Sequence, residues 1–265
     1  MVRTTKNNPA AFQKAPRPNL IYIIRKLMFK VVYDDIRSAY NYFISEVLNY
    51  YHRFSNDKHF YCNLCNTESN FFINTSNNKR ILYNSICPNC SSRKRHRGLY
   101  EIYKLYLKKI DSPNILHFAP EPVFYNLFKS YQYITSDLHL TDVDIKLDIE
   151  NIDYKSNSFN MVLCNHVLEH VFNDIIALEE IYRILSPSGL AIITVPGNWH
   201  RNKTLSYKEP DSNGHYRDYG LEFFNILKKI FNKIEIIDLY NYNNCYHLPI
   251  GLTPKHDLAL VCYKN

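Results

Sequence analysis

The chain has 265 residues and a hydrophobic fraction of 46%, which suffices for one α/β domain of ordinary size and a smaller additional unit. No run of about 18 apolar residues occurs, because Arg25, Lys26 and Lys30 interrupt the best candidate, residues 20–32. A membrane-spanning helix is therefore excluded, and without a signal-peptide pattern at the N-terminus we expect a cytoplasmic protein.

Charge is distributed unevenly along the chain. Residues 1–110 carry 19 Lys and Arg against 6 Asp and Glu, whereas residues 111–265 carry 13 against 19. The basic part suits a nucleic acid, an anionic lipid surface or a phosphorylated substrate. Neutralisation of the acidic part explains the asymmetry equally well, so charge alone selects no partner.

The N-terminal region divides into two stretches. Residues 1–18 are polar and rich in proline, which predicts a disordered N-terminus. Residues 19–59 are predicted to be helical, because apolar side chains recur at the helical period. Interleaved Lys and Arg residues permit this helix to contact a membrane surface peripherally. Packing of an amphipathic helix on its own domain is the more common arrangement and the one that we favour.

Two Cys-x-x-Cys pairs mark the next segment, residues 60–97. Cys62 and Cys65 are followed after 21 residues by Cys87 and Cys90. Two residues between cysteines allow a tight turn to aim both sulfur atoms at one ion, so two such pairs predict a tetrahedral Zn²⁺ site. Free thiols or a redox pair are the alternatives, but a redox pair requires only one Cys-x-x-Cys. Four cysteine ligands leave no open position, so the predicted ion is structural.

A basic cluster follows the second cysteine pair directly. Residues 91–97 read Ser-Ser-Arg-Lys-Arg-His-Arg and begin a predicted helix that runs to about residue 109, capped by Ser91 or Ser92. Positive charge at a helix N-terminus opposes the helix dipole, so we expect an anionic partner there. A substrate phosphate, a nucleic acid and the acidic half of the chain are the alternatives.

Strands and helices alternate through the remaining domain, residues 98–265. Predicted strands occupy residues 114–118, 133–137, 159–165, 190–195, 234–239 and 257–263, and predicted helices occupy residues 123–129, 175–185 and 221–231. This alternation predicts a doubly wound, mainly parallel, Rossmann-like sheet with its ligand at the carboxyl ends of the strands. The last two strands lack an intervening helix, so we expect an antiparallel pair at the sheet edge.

Three segments of this domain resemble a known enzyme family. They are residues 148–170, 180–189 and 190–196. They are similar to class I S-adenosylmethionine-dependent methyltransferases, in particular the type 11-like group that acts on small molecules and sugars. The resemblance implies a seven-stranded sheet and S-adenosylmethionine as cofactor. A bacterial subgroup is more similar still: it joins a four-cysteine zinc ribbon ending in Arg95-His96-Arg97 to the motifs at residues 116–121 and 215–220.

The resemblance places the first cofactor loop directly after the strand at residues 114–118. Its cofactor-binding residues are His117, Phe118, Ala119, Pro120 and Glu121. The wider family has a glycine-rich loop here, because glycine lets the backbone approach the ligand without a Cβ atom. Ala119 is the smallest substitute, and Glu121 is placed to meet the ammonium group of the methionine moiety.

The remaining cofactor residues are carried over from the same family. Asp137 ends the second strand, where a carboxylate accepts hydrogen bonds from both ribose hydroxyls. Asp148 and Ile149 would flank the adenine, one near its amine and the other against its face. Asn165 and His166 would line the methionine part of the cofactor.

Side chains that could act in catalysis follow the strand at residues 159–165. The candidate general bases are His166, Glu169 and His170. A base is required only if the methyl acceptor is a hydroxyl or a protonated amine, since methyl transfer depends mainly on alignment. His200, His215 and Arg217 are expected to form the wall of the acceptor site, with Arg217 placed to clamp a carboxylate or a phosphate.

These observations favour a methyltransferase that acts on a small molecule or a sugar. An RNA methyltransferase is the first alternative, with the zinc ribbon and the basic helix start holding the RNA. Against it, Asn165-His166-Val167-Leu168 stands where base-flipping enzymes carry an Asn-Pro-Pro-Tyr-type tetrad. A non-catalytic binding protein with a degenerate fold is the second alternative. An NAD-dependent enzyme is disfavoured because Gly-x-Gly-x-x-Gly is absent from the sequence.

Overall fold

The computed structural model describes residues 19–31, 36–54, 60–76, 80–239 and 258–265. Among these residues, 19–101 belong to one compact unit, and 102–239 together with 258–265 belong to another. The segment predicted to be disordered, residues 1–18, lies outside the described residues. In the part of the chain that the structure describes, no helix is both long and apolar enough to cross a membrane.

The first unit begins with two helices and continues with short strands. The elements are α1 (Leu20–Phe29), α2 (Ile36–His52), β1 (Phe60–Cys62), β2 (Thr67–Ser69), β3 (Ile73–Ser76) and β4 (Ile81–Ile86). β1 pairs antiparallel with β2, and β3 pairs antiparallel with β4. The sequence predicted one helical stretch before the cysteine segment, and the described residues form two helices there.

Asparagine side chains connect the helices of this unit to its strands. Asn19 caps α1, because its Oδ1 accepts a hydrogen bond of 2.8 Å from the Tyr22 backbone N–H. The side chain of Asn49 on α2 makes two hydrogen bonds to the backbone of β3. Its Nδ2 donates to the Asn74 carbonyl at 3.0 Å, and its Oδ1 accepts from the Asn74 N–H at 2.6 Å. Both residues are buried, so these bonds satisfy backbone groups that water cannot reach.

The α/β unit begins within helix α3 (Lys94–Leu107). Its elements are β5 (Asn114–Phe118), α4 (Tyr125–Phe128), β6 (Gln132–Ser136), β7 (Phe159–Asn165), α5 (Asp174–Ile184), β8 (Leu185–Thr194), β9 (Leu205–Ser206), β10 (Arg217–Asp218), α6 (Glu222–Ile230), β11 (Lys233–Asp238) and β12 (Leu258–Tyr263). A single 3₁₀ turn, Pro122–Phe124, precedes α4. β9 and β10 pair as a small separate hairpin.

The large sheet has the strand order β11-β12-β8-β7-β5-β6. Strands β6, β5, β7 and β8 are parallel to one another, whereas β12 runs antiparallel to both β8 and β11. The structure therefore confirms a Rossmann-like, mainly parallel sheet with an antiparallel C-terminal strand. The pairing of the last two predicted strands at the sheet edge is also confirmed.

The described residues place six strands in this sheet, where the resemblance implied seven. Beyond β6 the structure has an isolated parallel bridge between Ser136 and Ile145. The Asp144 carboxylate accepts hydrogen bonds from the Thr135 backbone N–H at 2.9 Å and from the Thr135 hydroxyl at 2.7 Å. A side chain thus holds this segment beside the sheet, and no regular ladder forms.

The core of the α/β unit lies between the sheet and its helices. β7 is buried along almost its whole length, as a central parallel strand covered on both faces should be. One face of α5 is buried at helical spacing, by Ala177, Leu178, Ile181 and Ile184. Each large apolar side chain in such a core contributes about 1.5–3 kcal/mol through burial.

Candidate functional site

Three neighbouring parallel strands, β7, β5 and β6, end at one edge of the sheet. The loop after β5 contains Ala119 and Glu121, Asp137 follows β6 directly, and the loop after β7 begins with His166. This carboxyl edge is where ligands bind in open α/β sheets. Most of the residues predicted to bind cofactor or to act in catalysis are therefore at the expected edge.

Asn165, the last residue of β7, connects the first loop to the sheet. Its side chain is 3% exposed. Nδ2 donates to the Tyr103 hydroxyl at 2.7 Å and to Glu121 Oε2 at 3.1 Å, and lies 3.3 Å from His117 Nε2. The Thr194 hydroxyl donates to Asn165 Oδ1 at 3.3 Å. A buried polar network thus fixes the position of the Glu121 carboxylate. The sequence alone did not predict that Tyr103 and Thr194 belong to this network.

His117 supports this network from the interior of the unit. Its side chain is fully buried, and burial lowers the pKa of His117 to about 4, although Glu121 acts in the opposite direction. The imidazole is therefore neutral at pH 7. Because Asn165 Nδ2 can only donate, His117 Nε2 is the acceptor, and Nδ1 donates to the Tyr133 hydroxyl at 2.9 Å. The His117 side chain positions the loop and does not face solvent.

Ala119 has a backbone that glycine usually supplies. Its φ is +47°, in the left-handed region, and its N–H donates to the Ser136 carbonyl at 2.8 Å. The neighbouring Phe118 is buried in the core, whereas Pro120 and Glu121 are partly exposed. The loop therefore keeps a glycine-like conformation although it contains no glycine.

Asp137 forms a tight turn with the residues that follow it. One carboxylate oxygen, Oδ1, accepts from the backbone N–H groups of His139 at 2.7 Å and Leu140 at 2.8 Å. Within the described residues, Oδ2 makes no hydrogen bond. The turn holds the carboxylate in place and leaves one oxygen for the predicted ribose hydroxyls.

The two residues predicted to flank the adenine differ in exposure. Asp148 is exposed, and its Oδ1 accepts from the Glu150 N–H at 2.9 Å. Ile149 is 5% exposed and belongs to the hydrophobic core. Only a small part of the Ile149 side chain is accessible, and its contact with adenine stays a prediction.

The three candidate bases meet around one buried carboxylate. Glu169 is 1% exposed, and its Oε1 accepts from His166 Nδ1 at 3.2 Å and lies 3.9 Å from His170 Nε2. His166 has a φ of +52°, a strained conformation for a residue with a side chain, and its N–H donates to the Thr194 carbonyl at 2.8 Å. The structure thus brings His166, Glu169 and His170 together at the end of β7.

Arg217 does not have the role that the sequence suggested. Its guanidinium is almost buried and donates to the carbonyl oxygens of Leu168 at 2.7 Å, Val171 at 2.9 Å and Phe172 at 2.7 Å. Its Nε also lies 3.6 Å from the Asp174 carboxylate. The expectation of a clamp for a substrate anion is wrong, because these internal partners occupy the guanidinium. Arg217 instead holds the loop that carries Glu169.

The first unit contains the four cysteines in one cluster. The Sγ atoms of Cys62, Cys65, Cys87 and Cys90 all lie within 4.8 Å of one another. Cys62 and Cys90 are separated by 3.6 Å, and Cys65 and Cys87 by 3.8 Å. A Zn–S bond of about 2.3 Å corresponds to an S–S separation of about 3.8 Å in a tetrahedron. The residues present therefore fit a zinc ion held by four thiolates.

Ser92 belongs to the surroundings of this cluster. Its hydroxyl lies 3.4 Å from Cys62 Sγ and 3.2 Å from Cys90 Sγ, and its carbonyl accepts from the Cys87 N–H at 2.9 Å. Hydrogen bonds from Cys62 hold the pKa of Cys65 well below its usual range and raise that of Cys87. Four sulfurs this close cannot all carry a negative charge without a cation.

Two members of the basic cluster at the start of α3 are buried. Arg97 is 1% exposed; it donates to the Ser92 carbonyl at 2.7 Å, and its guanidinium lies 4.5 Å from the centre of the Phe72 ring. His96 is also buried, while Arg93 is exposed. The basic surface available to an anionic partner is therefore smaller than the sequence suggests.

Comparisons with known proteins agree with this arrangement. Residues 129–193 match a family model described as a methyltransferase domain. An uncharacterised protein of Methanocaldococcus jannaschii, MJ0638, is 40% identical over 80 residues, which are 27% of this chain and 35% of that protein. The chain thus spans about a third of the length of the curated relative that it matches.

Several solved structures of low sequence identity are similar to part of this chain. An N1-methyltransferase of 1,6-didemethyltoxoflavin from Burkholderia thailandensis is 14% identical, with a TM-score of 0.44 over 64% of this chain and 78% of that one. The [4+2]-cyclase SpnF is 15% identical, with a TM-score of 0.38 over 52% of this chain and 58% of that one. At this level of similarity neither activity is carried over.

The strand order defines a Rossmann-like domain, whose candidate ligand site is at the ends of its parallel strands. More particularly, residues 129–193 of the α/β unit are similar to the methyltransferase domain that the family model describes. That match includes β6, β7, α5 and most of β8, which are the elements around the site.

Proposed function

We propose that the chain is an S-adenosylmethionine-dependent methyltransferase that acts on a small-molecule or saccharide acceptor. One observation carries the proposal: Glu121, Asp137 and Asn165 stand at the ends of three neighbouring parallel strands within or next to the segment that matches the methyltransferase family. Each holds a polar group where the resemblance requires a contact to the ammonium, the ribose or the methionine part of the cofactor.

The cofactor would supply a methyl group on a sulfonium sulfur, and the residues of this chain would align it. Asp137 would accept hydrogen bonds from the ribose through its open oxygen, and Glu121, held by Asn165, would face the ammonium group. Alignment of this kind accounts for most of the rate enhancement expected for an in-line displacement. The left-handed backbone of Ala119 supports a close approach of the cofactor to the loop.

A structural Zn²⁺ at Cys62, Cys65, Cys87 and Cys90 is part of the same proposal. The donor set is entirely thiolate and the S–S separations fit a tetrahedron. All four positions would be filled by protein, so the ion would fold the unit and take no part in methyl transfer. The zinc-ribbon subgroup of methyltransferases stays a prediction that this arrangement supports.

An RNA acceptor is the main competing proposal. It depends on the basic residues at the start of α3, and the burial of Arg97 and His96 weakens it. Binding through phosphates would weaken steeply as salt rises. A gel shift with tRNA and rRNA fragments at low and at physiological salt therefore tests this alternative directly. A non-catalytic binding protein is the other competitor, and it requires that no methyl group be transferred.

The class of acceptor can be tested with S-adenosylmethionine that carries a tritiated methyl group. The full chain would be incubated with extract of its source cells, and the label separated into small-molecule, polysaccharide, RNA and protein fractions. We expect label in a small-molecule or polysaccharide fraction, lost in Asp137→Ala and retained in Asp153→Ala, which alters an exposed carboxylate. Label in an RNase-sensitive fraction would favour the RNA alternative, and no label in any fraction would favour the binding protein.

A further inference from the structure

Two loops of the α/β unit bring together an unusual set of side chains. Glu169 and His170 lie in the loop after β7, and His215 lies just before β10. Each offers one ligand atom, and the three atoms lie within 4.8 Å of one another. The rings of His170 and His215 are 4.8 Å apart between centroids. The sequence separates His170 from His215 by more than forty residues, so the fold alone creates this cluster.

The carboxylate of Glu169 lacks a full set of partners. Its side chain is 1% exposed, and within the described residues Oε2 is buried without a hydrogen bond. Leaving a buried carboxylate oxygen unpaired is costly, and cations and hydrogen-bond donors are the groups that offset this cost. The buried carboxylate therefore indicates that a positive charge belongs in the cluster.

The histidines are oriented to present lone pairs. His170 Nδ1 donates to the Gly214 carbonyl at 3.0 Å, which leaves Nε2 as the unprotonated nitrogen on the side of Glu169. A hydrogen bond of this kind on the distal nitrogen is typical of histidines that bind metal. His166 Nδ1 donates to Glu169 Oε1 and so helps to fix the position of the carboxylate.

Further bonds hold the two loops against each other. The Tyr216 N–H donates to the Glu169 carbonyl at 2.8 Å across the two loops, and within the second loop the Asp211 carboxylate accepts from the His215 N–H at 3.0 Å. Arg217 binds three carbonyl groups of the loop that carries Glu169. The cluster is thus built on a braced pair of loops, as a preorganised site requires.

We propose that Glu169, His170 and His215 bind a divalent transition-metal ion. Two imidazoles and one carboxylate are a ligand set for such ions, and they leave other coordination positions open. Bonds of about 2.0–2.2 Å at tetrahedral angles put ligand atoms about 3.4 Å apart, so the three side chains would move closer together than their present separations of up to 4.8 Å. The side chains of His170 and His215 are 44% and 24% exposed, so the ion remains accessible to a ligand.

The open positions suit an acceptor that offers oxygen ligands, such as a vicinal diol or an α-hydroxy acid. This part of the inference rests on the proposed function. A bound metal ion lowers the pKa of a coordinated hydroxyl. The methyl group would pass from the sulfonium sulfur to that oxygen, with the S–C bond breaking as the C–O bond forms and the hydroxyl proton leaving to solvent. No separate general base is then required.

The test uses the full chain loaded with one equivalent of Zn²⁺ and then titrated with Co²⁺. We expect one further equivalent to bind with the weak visible bands of nitrogen and oxygen ligation. Glu169→Gln and His215→Ala should each weaken that binding by about 10–100-fold. His139→Ala, which removes an exposed histidine elsewhere on the α/β unit, should leave it unchanged. Thermal unfolding of each variant checks that the fold is kept.

Binding of only one ion per chain, or thiolate charge-transfer bands alone, would overturn the proposal. A second equivalent that neither Glu169→Gln nor His215→Ala affects would also overturn it. Calorimetry with S-adenosylmethionine on the same samples keeps the two proposals distinct. Cofactor binding without Co²⁺ binding would contradict only the metal site, and Co²⁺ binding without cofactor binding would contradict only the methyltransferase.

Discussion

The cysteine cluster of the first unit and the carboxyl edge of the sheet in the second unit use polar groups in opposite ways. In the cluster, four sulfur atoms face one another at tetrahedral separations, and Ser92 and backbone groups occupy the surroundings. At the carboxyl edge, Asp137 keeps one free oxygen, and the Glu169 carboxylate keeps a buried oxygen unpaired within the described residues. A closed site stabilises a fold, whereas carboxylate oxygens without a hydrogen-bond partner mark a place for a ligand.

The largest effect expected from this comparison concerns the closed site. Cys87→Ser should abolish zinc binding and unfold the cysteine-containing segment, because binding of a structural zinc contributes about 10 kcal/mol or more to folding. Metal analysis and limited proteolysis of the first unit would measure the loss. Cys164→Ser, which alters a buried cysteine of β7, should retain one zinc per chain. Wild-type protein without zinc would contradict the closed site.

The loop that carries Glu169 offers the next largest effect. Arg217→Met should lower the free energy of unfolding by about 3–5 kcal/mol, because the variant removes a buried charge and leaves Asp174 and three carbonyl groups without their partner. Lys208→Met, in an exposed position before β10, should change it by at most about 0.5 kcal/mol. Chemical denaturation measures both. Equal effects of the two variants would show that Arg217 is not the brace described here.

The neutral His117 beneath the carboxyl edge makes stability depend on pH. Its pKa is about 4 in the folded chain, against about 6.5 when unfolded, so the unfolded state binds the extra proton between these values. The free energy of unfolding should therefore fall by up to about 3 kcal/mol as pH decreases from 6.5 to 4. His117→Gln should remove this part of the pH dependence. An unchanged slope in the variant would mean that His117 is charged in the folded state.

The backbone of Ala119 gives the smallest effect. Ala119→Gly should leave stability unchanged or raise it by less than about 1 kcal/mol, because relief of the left-handed conformation offsets the extra freedom of glycine in the unfolded chain. The matched change in helix α5, Ala177→Gly, should cost about 1 kcal/mol or more. Thermal unfolding compares the two. A similar loss in both variants would argue against a glycine-like loop.

Much of the fold could be predicted because its signals are local. Strands β5 and β7 begin and end as the apolar runs predict, and the two Cys-x-x-Cys pairs meet as their spacing requires. Strand β8 shows the limit of such signals. The strand predicted at residues 190–195 begins at Leu185 in the structure, and its pairing jumps from Leu185 to Leu190 across an irregularity in the register. Only the pairing of β8 with the neighbouring strand shows where β8 begins.

The carboxyl edge was predicted in outline but not in its contacts. The resemblance placed Asp137 and Asn165 correctly at the strand ends, yet nothing in the sequence links Tyr103 or Thr194 to Asn165. Arg217 was misinterpreted because an arginine in a loop gives no sign of the carbonyl groups that surround it. Contacts between loops distant in sequence, such as that of Glu169 with Tyr216, depend on the folded chain.

The binding of S-adenosylmethionine is the central claim, and calorimetry of the zinc-loaded chain tests it most directly. We predict that S-adenosylmethionine and S-adenosylhomocysteine bind and that NAD does not. Asp137→Ala should weaken both by about 1.5–3 kcal/mol, roughly ten- to a hundredfold, while Asp153→Ala binds as the wild type does. No binding of either compound to folded wild-type protein, or equal affinity in Asp137→Ala, would contradict the account.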